Sequence, residues 1–568
     1  MLRILVTLLL SALFFISQQD LSTAQVSQPE NYQNGVVTSA DRYASEAGLE
    51  ILQKGGNAID AAVAVQFALA VTLPRAGNIG GGGFMVLHTD DGEINTLDFR
   101  EKAPSRATRD MYLDDEREFV SDKSKIGGLA PGVPGTVDGM VTALERYGTL
   151  ALEIVMEPAI RLAEEGYILT HSHARSLNRA ADRLREFDGS KEAFIKTDSS
   201  PWEAGDRFIQ KDLAETLKRI ASMGRRGFYS GLTGRLIVEE MNRVGGIITL
   251  RDLRDYKSVW REPIKAEFYD YELFMMPPPS SGGVVIKQVL NMLAEMNIDN
   301  YSLNSADYVH RLAEALRRSF ADRNYWLGDP DFFEIPLSEL LDENYLSNRI
   351  SDFNPELASS SDSVTQGQVN SVLESDETTH FNVADRYGNV VAVNTTLNGS
   401  FGSFVTVTDA GFLLNNEMDD FSAKPGEPNM FGLIGAEANS IEPGKRMLSS
   451  MSPTIALKNG RPVFAGGGAG GPRIITATLQ NFLNMALFEM NAEQAIAAPR
   501  IHHQWLPDRL FVEGLYFSDD TVKKLESYGH QVQKIGNIAL THIIMINEEG
   551  SVMSGASDSR GDGYVAGY

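Results

Sequence analysis

The sequence predicts an α+β fold, and three observations carry the prediction. Helical patterns and hairpins joined by glycine-rich turns fill most of the first 350 residues. A polar, serine-rich segment follows over 354–377. From residue 378 onward the chain is dense with alternating strand patterns.

The chain opens on a targeting pattern. Arg3 supplies a basic start, and 4–17 is a run of fourteen uncharged residues, shorter than the ~18–20 needed to span a bilayer. Ser22, Thr23 and Ala24 then give the small residues of a cleavage site. Residues 1–24 are therefore expected to be a secretory signal peptide, leaving the protein periplasmic or extracellular.

A helical pattern over 40–54 stops at Gly55 and Gly56. Asn57 is placed to cap a second helix that ends at Leu73, before Pro74. That second helix is apolar on nearly every side, which predicts burial between layers. Residues 77–83 (GNIGGGG) read as a flexible joint, and 84–88 with 93–99 as a hairpin around Asp90, Asp91 and Gly92. Further helices are predicted near 136–147, 153–165, 282–296 and 305–325, with a loop over 277–283. Segment 354–377 has too little apolar surface to offset its ordering entropy and reads as a linker or loose tail.

Residues 378–384 and 390–398 alternate around a five-residue turn. A turn symmetric about Tyr387 sets Thr378 opposite Thr396, their Cβ atoms roughly 4.5–5.5 Å apart. Phe381, Val383, Val391, Val393 and Leu397 then share a core face. Thr378, His380, Asn382, Asn394, Thr396 and Asn398 share the other, read as a polar ledge. A threonine at the start of a strand, directly after a loose segment, can become a chain terminus. Its own α-amine, with a pKa near about 8, would then serve as general base for its hydroxyl.

A second hairpin, 453–457 with 462–465, turns at Asn459 and Gly460 and runs into a glycine cluster over 466–471. Pro472 opens a helix at a favoured first position. The cluster matches a dinucleotide fingerprint in form only, because its strand belongs to a hairpin and not to a βαβ unit. It reads better as a turn whose amides, Gly470 and Gly471 foremost, face a helix N-terminus and can receive developing negative charge. A purely structural tight turn is the other reading. The acidic loop 415–421 reads as solvated surface or a loose cation site, the serines of 448–453 as turn caps, and 425–432 as a mobile flap. Arg100 beside Glu101 is either a surface ion pair or a planar fork for a carboxylate.

Composition narrows the chemistry. With 51 Lys+Arg against 76 Asp+Glu in 568 residues, the net charge of −25 argues against binding duplex nucleic acid. The chain has no cysteine, so covalent catalysis must use Ser, Thr, Lys, His or a carboxylate. His171 with His173, and His502 with His503, lack a third ligand at a typical zinc spacing, and neither a metal nor another cofactor is expected.

Eight stretches together resemble one family: GGNAIDAAVA (55–64), GGGGFM (80–85), LDFREKAP (97–104), TTHFNVAD (378–385), LLNNEMDDFS (413–422), LSSMSPTI (448–455), GGAGGPRII (467–475) and GASDSR (555–560). The sequence is similar to the γ-glutamyltransferases (γ-glutamyltranspeptidases, glutathione hydrolases) among the N-terminal nucleophile hydrolases. The resemblance implies a four-layer αββα sandwich, autoprocessed between Glu377 and Thr378. A large subunit, 25–377, and a small subunit, 378–568, would form a heterodimer. It implies Thr378 as nucleophile, Thr396 as its activating hydroxyl, and Gly470 with Gly471 as oxyanion hole. Arg100, Ser449 and Ser450 would clamp the α-carboxylate of a γ-glutamyl group, while Asn398, Glu417 and Asp420 hold its α-amine. The implied partners are glutathione and other γ-glutamyl compounds, with water, amino acids or peptides as acyl acceptors. Phe431 stands where the bacterial lid often carries a tyrosine, which removes a hydroxyl contact. A β-lactam side-chain acylase or a poly-γ-glutamate depolymerase could use the same nucleophile. An uncleaved secreted peptide-binding protein is the alternative from another class.

Overall fold

The computed structural model describes residues 29–365, 378–422 and 437–568. The expected signal peptide, Glu377 and Phe431 lie outside the described residues.

Two seven-stranded antiparallel sheets form the centre. The first runs in the order Tyr564–Gly567, Gly35–Ser39, Thr379–Asp385, Val390–Thr396, Gly82–His88, Ile94–Asp98, Val259–Arg261. The second runs Asn31–Tyr32, Met553–Ser557, Leu540–Ile546, Arg461–Ala469, Thr454–Lys458, Tyr271–Met275, Ile264–Phe268. They face each other across a core that includes Val36, Phe84, Ala392, Ile455 and Ile544. Helices Arg42–Gln53 and Ala58–Thr72 cover the outer face of the first sheet. Gly282–Glu295 and Arg473–Phe488 cover that of the second, with Ala306–Trp326 packed outside Gly282–Glu295. This is the expected αββα order. Among the described residues no helix is long and apolar enough to cross a membrane.

The local signals act as read. Asn57 caps Ala58–Thr72 by accepting from the amides of Ile59 and Asp60, and Asp60 closes the capping box on the Asn57 amide at 2.8 Å. All fifteen side chains of this helix are buried, as its unbroken apolar surface requires. At ~1.5–3 kcal/mol for each large aliphatic or aromatic side chain, that burial holds the helix in place without an amphipathic face. The predicted helices are found as Thr136–Tyr147, Leu152–Glu165, Gly282–Glu295 and Ala306–Trp326.

The junction hairpin has the expected register: Thr379 pairs with Thr395, His380 with Asn394, Phe381 with Val393 and Val383 with Val391. One further step sets Thr378 across from Thr396. The odd positions pack on the helical layer as expected. The even face, however, is no ledge. It is buried between the two sheets, where His380 contacts Asn394 at 3.0 Å and Asn382 at 2.9 Å. Asn394 donates to the Gly468 carbonyl at 2.6 Å and Asn382 to the His542 carbonyl at 2.9 Å, so amides join the sheets. Buried polar groups must be paired, and these pair across the layers.

Four other readings change. The glycines of 80–83 are a close-packed seam and not a flexible joint: a Cβ on Gly81 would lie 2.0 Å from the Thr396 carbonyl oxygen. Gly466 to Gly468 belong to the Arg461–Ala469 strand, because a side chain on Gly467 would enter the His380 ring; only Gly470 (φ 139) and Gly471 (φ 54) make the turn. Pro472 caps the Arg473–Phe488 helix from just outside it. Finally, the described part of the serine-rich segment is docked. Ser361 accepts Trp505 Nε1 on its carbonyl at 3.0 Å and donates its hydroxyl to the Trp505 carbonyl at 2.6 Å, and Val364 is buried. Hydrogen bonds to a preformed surface compensate for its scarcity of apolar side chains.

Candidate active site

The first residue of the junction hairpin opens into a recess between the ends of the two sheets. Thr378 and Thr396 line it together, both largely buried. Asn78 holds the Val390–Thr396 strand in place, donating to the Thr396 carbonyl at 2.8 Å and to Thr395 Oγ1 at 3.0 Å. The Asn398 amide donates to Thr396 Oγ1 at 2.7 Å. Asn398 itself has φ 71, a left-handed conformation that asparagine tolerates, and turns the chain along the recess. Gly471 lines the same wall ahead of the Arg473–Phe488 helix. Gly470 is not in the lining and lies against Ala539.

Arg100 forms the far end. It is fully buried, so the reading of a surface ion pair fails. Its guanidinium pairs with Glu417 through Nη1 and with Asp420 through Nη2, and stands 3.6 Å from Glu101. The carbonyls of Met447 and Leu448 accept further bonds at 3.3 Å. Asp98 fixes its backbone: the Arg100 amide donates to Asp98 Oδ1 at 3.0 Å, while Arg261 and Arg446 pair with the same carboxylate. The acidic loop is thus an inner wall and not solvated surface, since Glu417 is buried and the Asp420 side chain is 11% exposed.

This cluster sets three carboxyls against one guanidinium. Burial pushes Asp420 up to about 6 and Glu101 up to about 7 against the pull of Arg100. Burial also raises Glu417 well above the carboxylate range. Arg100 keeps its proton because Glu417, Asp420 and Glu101 outweigh the burial that opposes its charge. Glu417 Oε2 and both Glu101 oxygens are buried without a hydrogen-bond partner among the described residues.

The serines complete the wall. The Ser449 amide donates to the Pro279 carbonyl at 2.9 Å, and its Oγ accepts from the Met451 amide at 3.2 Å. Ser450 Oγ accepts from Arg323 Nη2 at 3.1 Å. Arg323 is a site residue the sequence did not reveal. It sits near the end of the predicted Ala306–Trp326 helix, where nothing in the pattern separates it from Arg311, Arg317 and Arg318. A histidine cluster was also missed. His310, Glu314 and His530 come together in the core, but His310 bonds His530 at 2.8 Å and the Asn354 carbonyl at 2.8 Å. Glu314 is paired with Arg317 and Arg318. These contacts tie the docked segment to the helix, with His530 Nδ1 left without a hydrogen-bond partner among the described residues.

The arrangement offers a hydroxyl at a strand start, Gly471 in the same lining, and a buried site of both charge signs at one recess. Comparison with known proteins agrees with that chemistry. The Gamma-glutamyltranspeptidase family model matches residues 44–568. The glutathione hydrolase proenzyme of Escherichia coli (strain K12) is 45% identical over 545 residues, covering 96% of this chain and 93% of that protein. Among solved structures, a cephalosporin acylase from Bacillus halodurans superposes with a TM-score of 0.82 at 26% identity, covering 97% of this chain and 98% of that one. The Helicobacter pylori γ-glutamyltranspeptidase gives 0.56 at 43% identity over 56% of this chain and 92% of that one. With a family match running from the first helix to the last residue, and near-half identity along almost the whole length, the chain belongs to the γ-glutamyltranspeptidase family.

Proposed function

We propose that the protein is a glutathione hydrolase and γ-glutamyltransferase that matures by cutting itself before Thr378. In maturation, Thr378 Oγ attacks the Glu377 carbonyl carbon. The acyl group moves from nitrogen to oxygen, and water hydrolyses the resulting ester. The products are a chain ending at 377 and a chain beginning with the free amine of Thr378.

In turnover that amine takes the hydroxyl proton as Oγ attacks the γ-carbonyl of the substrate. The Gly470 and Gly471 amides receive the oxyanion, a type of contact whose loss typically costs ~3–4 kcal/mol. Collapse of the tetrahedral species breaks the γ-amide, and the proton passes to the leaving amine. The γ-glutamyl-Thr378 ester is then resolved by water, or by the amine of an amino acid or peptide.

The observation that carries this reading is that Thr378, at the start of its strand, and the buried group of Arg100, Glu417 and Asp420 line one recess. An amino acid head brings one positive and one negative charge. Its ammonium lies against Glu417 and Asp420, with Asn398 beside them, and its carboxylate joins Arg100, Ser449 and Ser450. Both charges are then paired, as burial requires. Residues 1–24 act as the export signal in this reading, and the 25–377 and 378–568 fragments remain together as a heterodimer.

The test is product analysis with glutathione, with and without a dipeptide acceptor. Glutamate with cysteinylglycine in the first case, and a γ-glutamyl tripeptide added in the second, are expected. Turnover of a cephalosporin side chain with no glutamate released from glutathione would overturn the reading in favour of an acylase.

A further inference from the structure

Arg323 has no part in the reaction as set out above, yet it lines the same recess as Arg100 and Thr378 and is 3% exposed. Its three donor groups reach into one short stretch of wall. Nη2 donates to Ser450 Oγ at 3.1 Å, Nε to Ser281 Oγ at 3.0 Å, and Nη1 to Asn324 Oδ1 at 2.9 Å. Ser281 passes the contact on, its hydroxyl donating to the Ser449 carbonyl at 2.7 Å while its amide donates to the same oxygen at 2.8 Å. Arg323 therefore touches Ser450 directly and Ser449 through one serine.

The direction of these bonds matters. A guanidinium only donates, so Ser450 Oγ must accept from it, and the Ser450 proton is turned away from Arg323. Ser449 Oγ likewise accepts from the Met451 amide. Each hydroxyl has a backbone or guanidinium donor behind it and its own proton left for the recess that both serines line. Two O–H donors side by side suit an anion and not an ammonium. Arg100 reaches the Leu448 carbonyl next to these serines and is already paired with Glu417 and Asp420, so the serines add donors beside it that no protein carboxylate engages.

We propose that Arg323 is a positioning residue for the α-carboxylate of the substrate: through Ser450, and through Ser281 to Ser449, it fixes two hydroxyl donors on that group. The inference rests on the γ-glutamyl reading given above. It predicts a residue that acts on one end of the substrate and not on the reacting carbonyl.

The experiment compares a γ-glutamyl anilide with a γ-aminobutyryl anilide, which lacks the α-carboxylate, on wild type, Arg323→Gln, Ser450→Ala and the double variant. Arg323→Gln should mature into two fragments and raise KM for the γ-glutamyl substrate about 10- to 100-fold, the range of one charge-assisted hydrogen bond. Its kcat should stay within about threefold, and so should kcat/KM for the γ-aminobutyryl substrate. In the Ser450→Ala background the same change should add less than about threefold. Equal losses on both substrates, or full additivity with Ser450→Ala, would overturn the proposal and leave Arg323 a structural residue. Should Arg323→Gln fail to mature, Ser281→Ala decides: it removes only the relay to Ser449, and a KM increase confined to the γ-glutamyl substrate supports the proposal while none overturns it. A wild type that treats the two anilides alike would instead overturn the γ-glutamyl reading itself.

Discussion

Arg100 holds two carboxylates before any substrate arrives, and that changes what its removal does. In Arg100→Ala the three acids lose the guanidinium that pairs with them, but groups already raised by burial can take up protons, so the fold survives and the two fragments still form. Turnover of a γ-glutamyl anilide should fall two to four orders of magnitude, the ~3–5 kcal/mol of a buried charge left without its partner. Arg100→Lys should recover only part, since an ammonium cannot pair with Glu417 and Asp420 through separate nitrogens. The same raised carboxyls predict a proton release. Burial, against the pull of Arg100, holds Asp420 up at about 6. An ammonium beside Asp420 favours its ionised form and lowers its value, so binding releases protons below about pH 7 and tightens as pH rises toward that point. Calorimetry of a γ-glutamyl ligand on the Thr396→Ala enzyme, in buffers of different ionisation enthalpy, reads the release directly. Proton uptake, or affinity falling as pH rises, would contradict the assignment of the ammonium to this cluster.

At the scale of elements, the site depends on how closely strands approach, and glycine decides that. Gly81 and Gly55 make a controlled pair. A methyl on Gly81 would meet the Thr396 carbonyl at 2.0 Å, whereas Gly55 has φ 90 and nothing within 4 Å of its added Cβ. Gly81→Ala should therefore displace Thr396 and slow both maturation and turnover at least about tenfold, while Gly55→Ala costs about 1–2 kcal/mol of stability and leaves both rates alone. A gel time course with the thermal midpoint separates the two outcomes. These elements also show what a single sequence can reveal. Capping residues, helix periods and the hairpin register are local, and Asn57, the 136–147 helix and the pairing of Thr379 with Thr395 were all legible. The burial of His380, Asn382 and Asn394 was not, because alternation separates two faces without saying whether the polar one meets water or a second sheet. Arg323 was illegible for a related reason: a helix pattern identifies its apolar stripe, and a buried arginine reads as part of the solvated side.

Across the whole molecule, the chain before residue 378 and the chain after it are interleaved rather than side by side. Thr379–Asp385 and Val390–Thr396 lie between Gly35–Ser39 and Gly82–His88 in one sheet, and Arg461–Ala469 with Thr454–Lys458 lies beside Tyr271–Met275 in the other. Cutting before Thr378 therefore severs one bond and no layer. Wild type should run on a denaturing gel as two fragments covering 25–377 and 378–568, co-elute as one heterodimer under native conditions, and unfold in a single transition. Thr378→Ala has no hydroxyl to attack the Glu377 carbonyl and should stay one chain of roughly 60 kDa. It should nevertheless unfold within a few degrees of wild type, because the same ladders and cores hold both forms. Amino-terminal sequencing of the smaller wild-type fragment must begin at Thr378. A fragment beginning elsewhere would displace the nucleophile. Dissociation of the fragments without denaturant would mean that the interleaved sheets do not hold the cut chain, against the topology that places Thr378 at the recess.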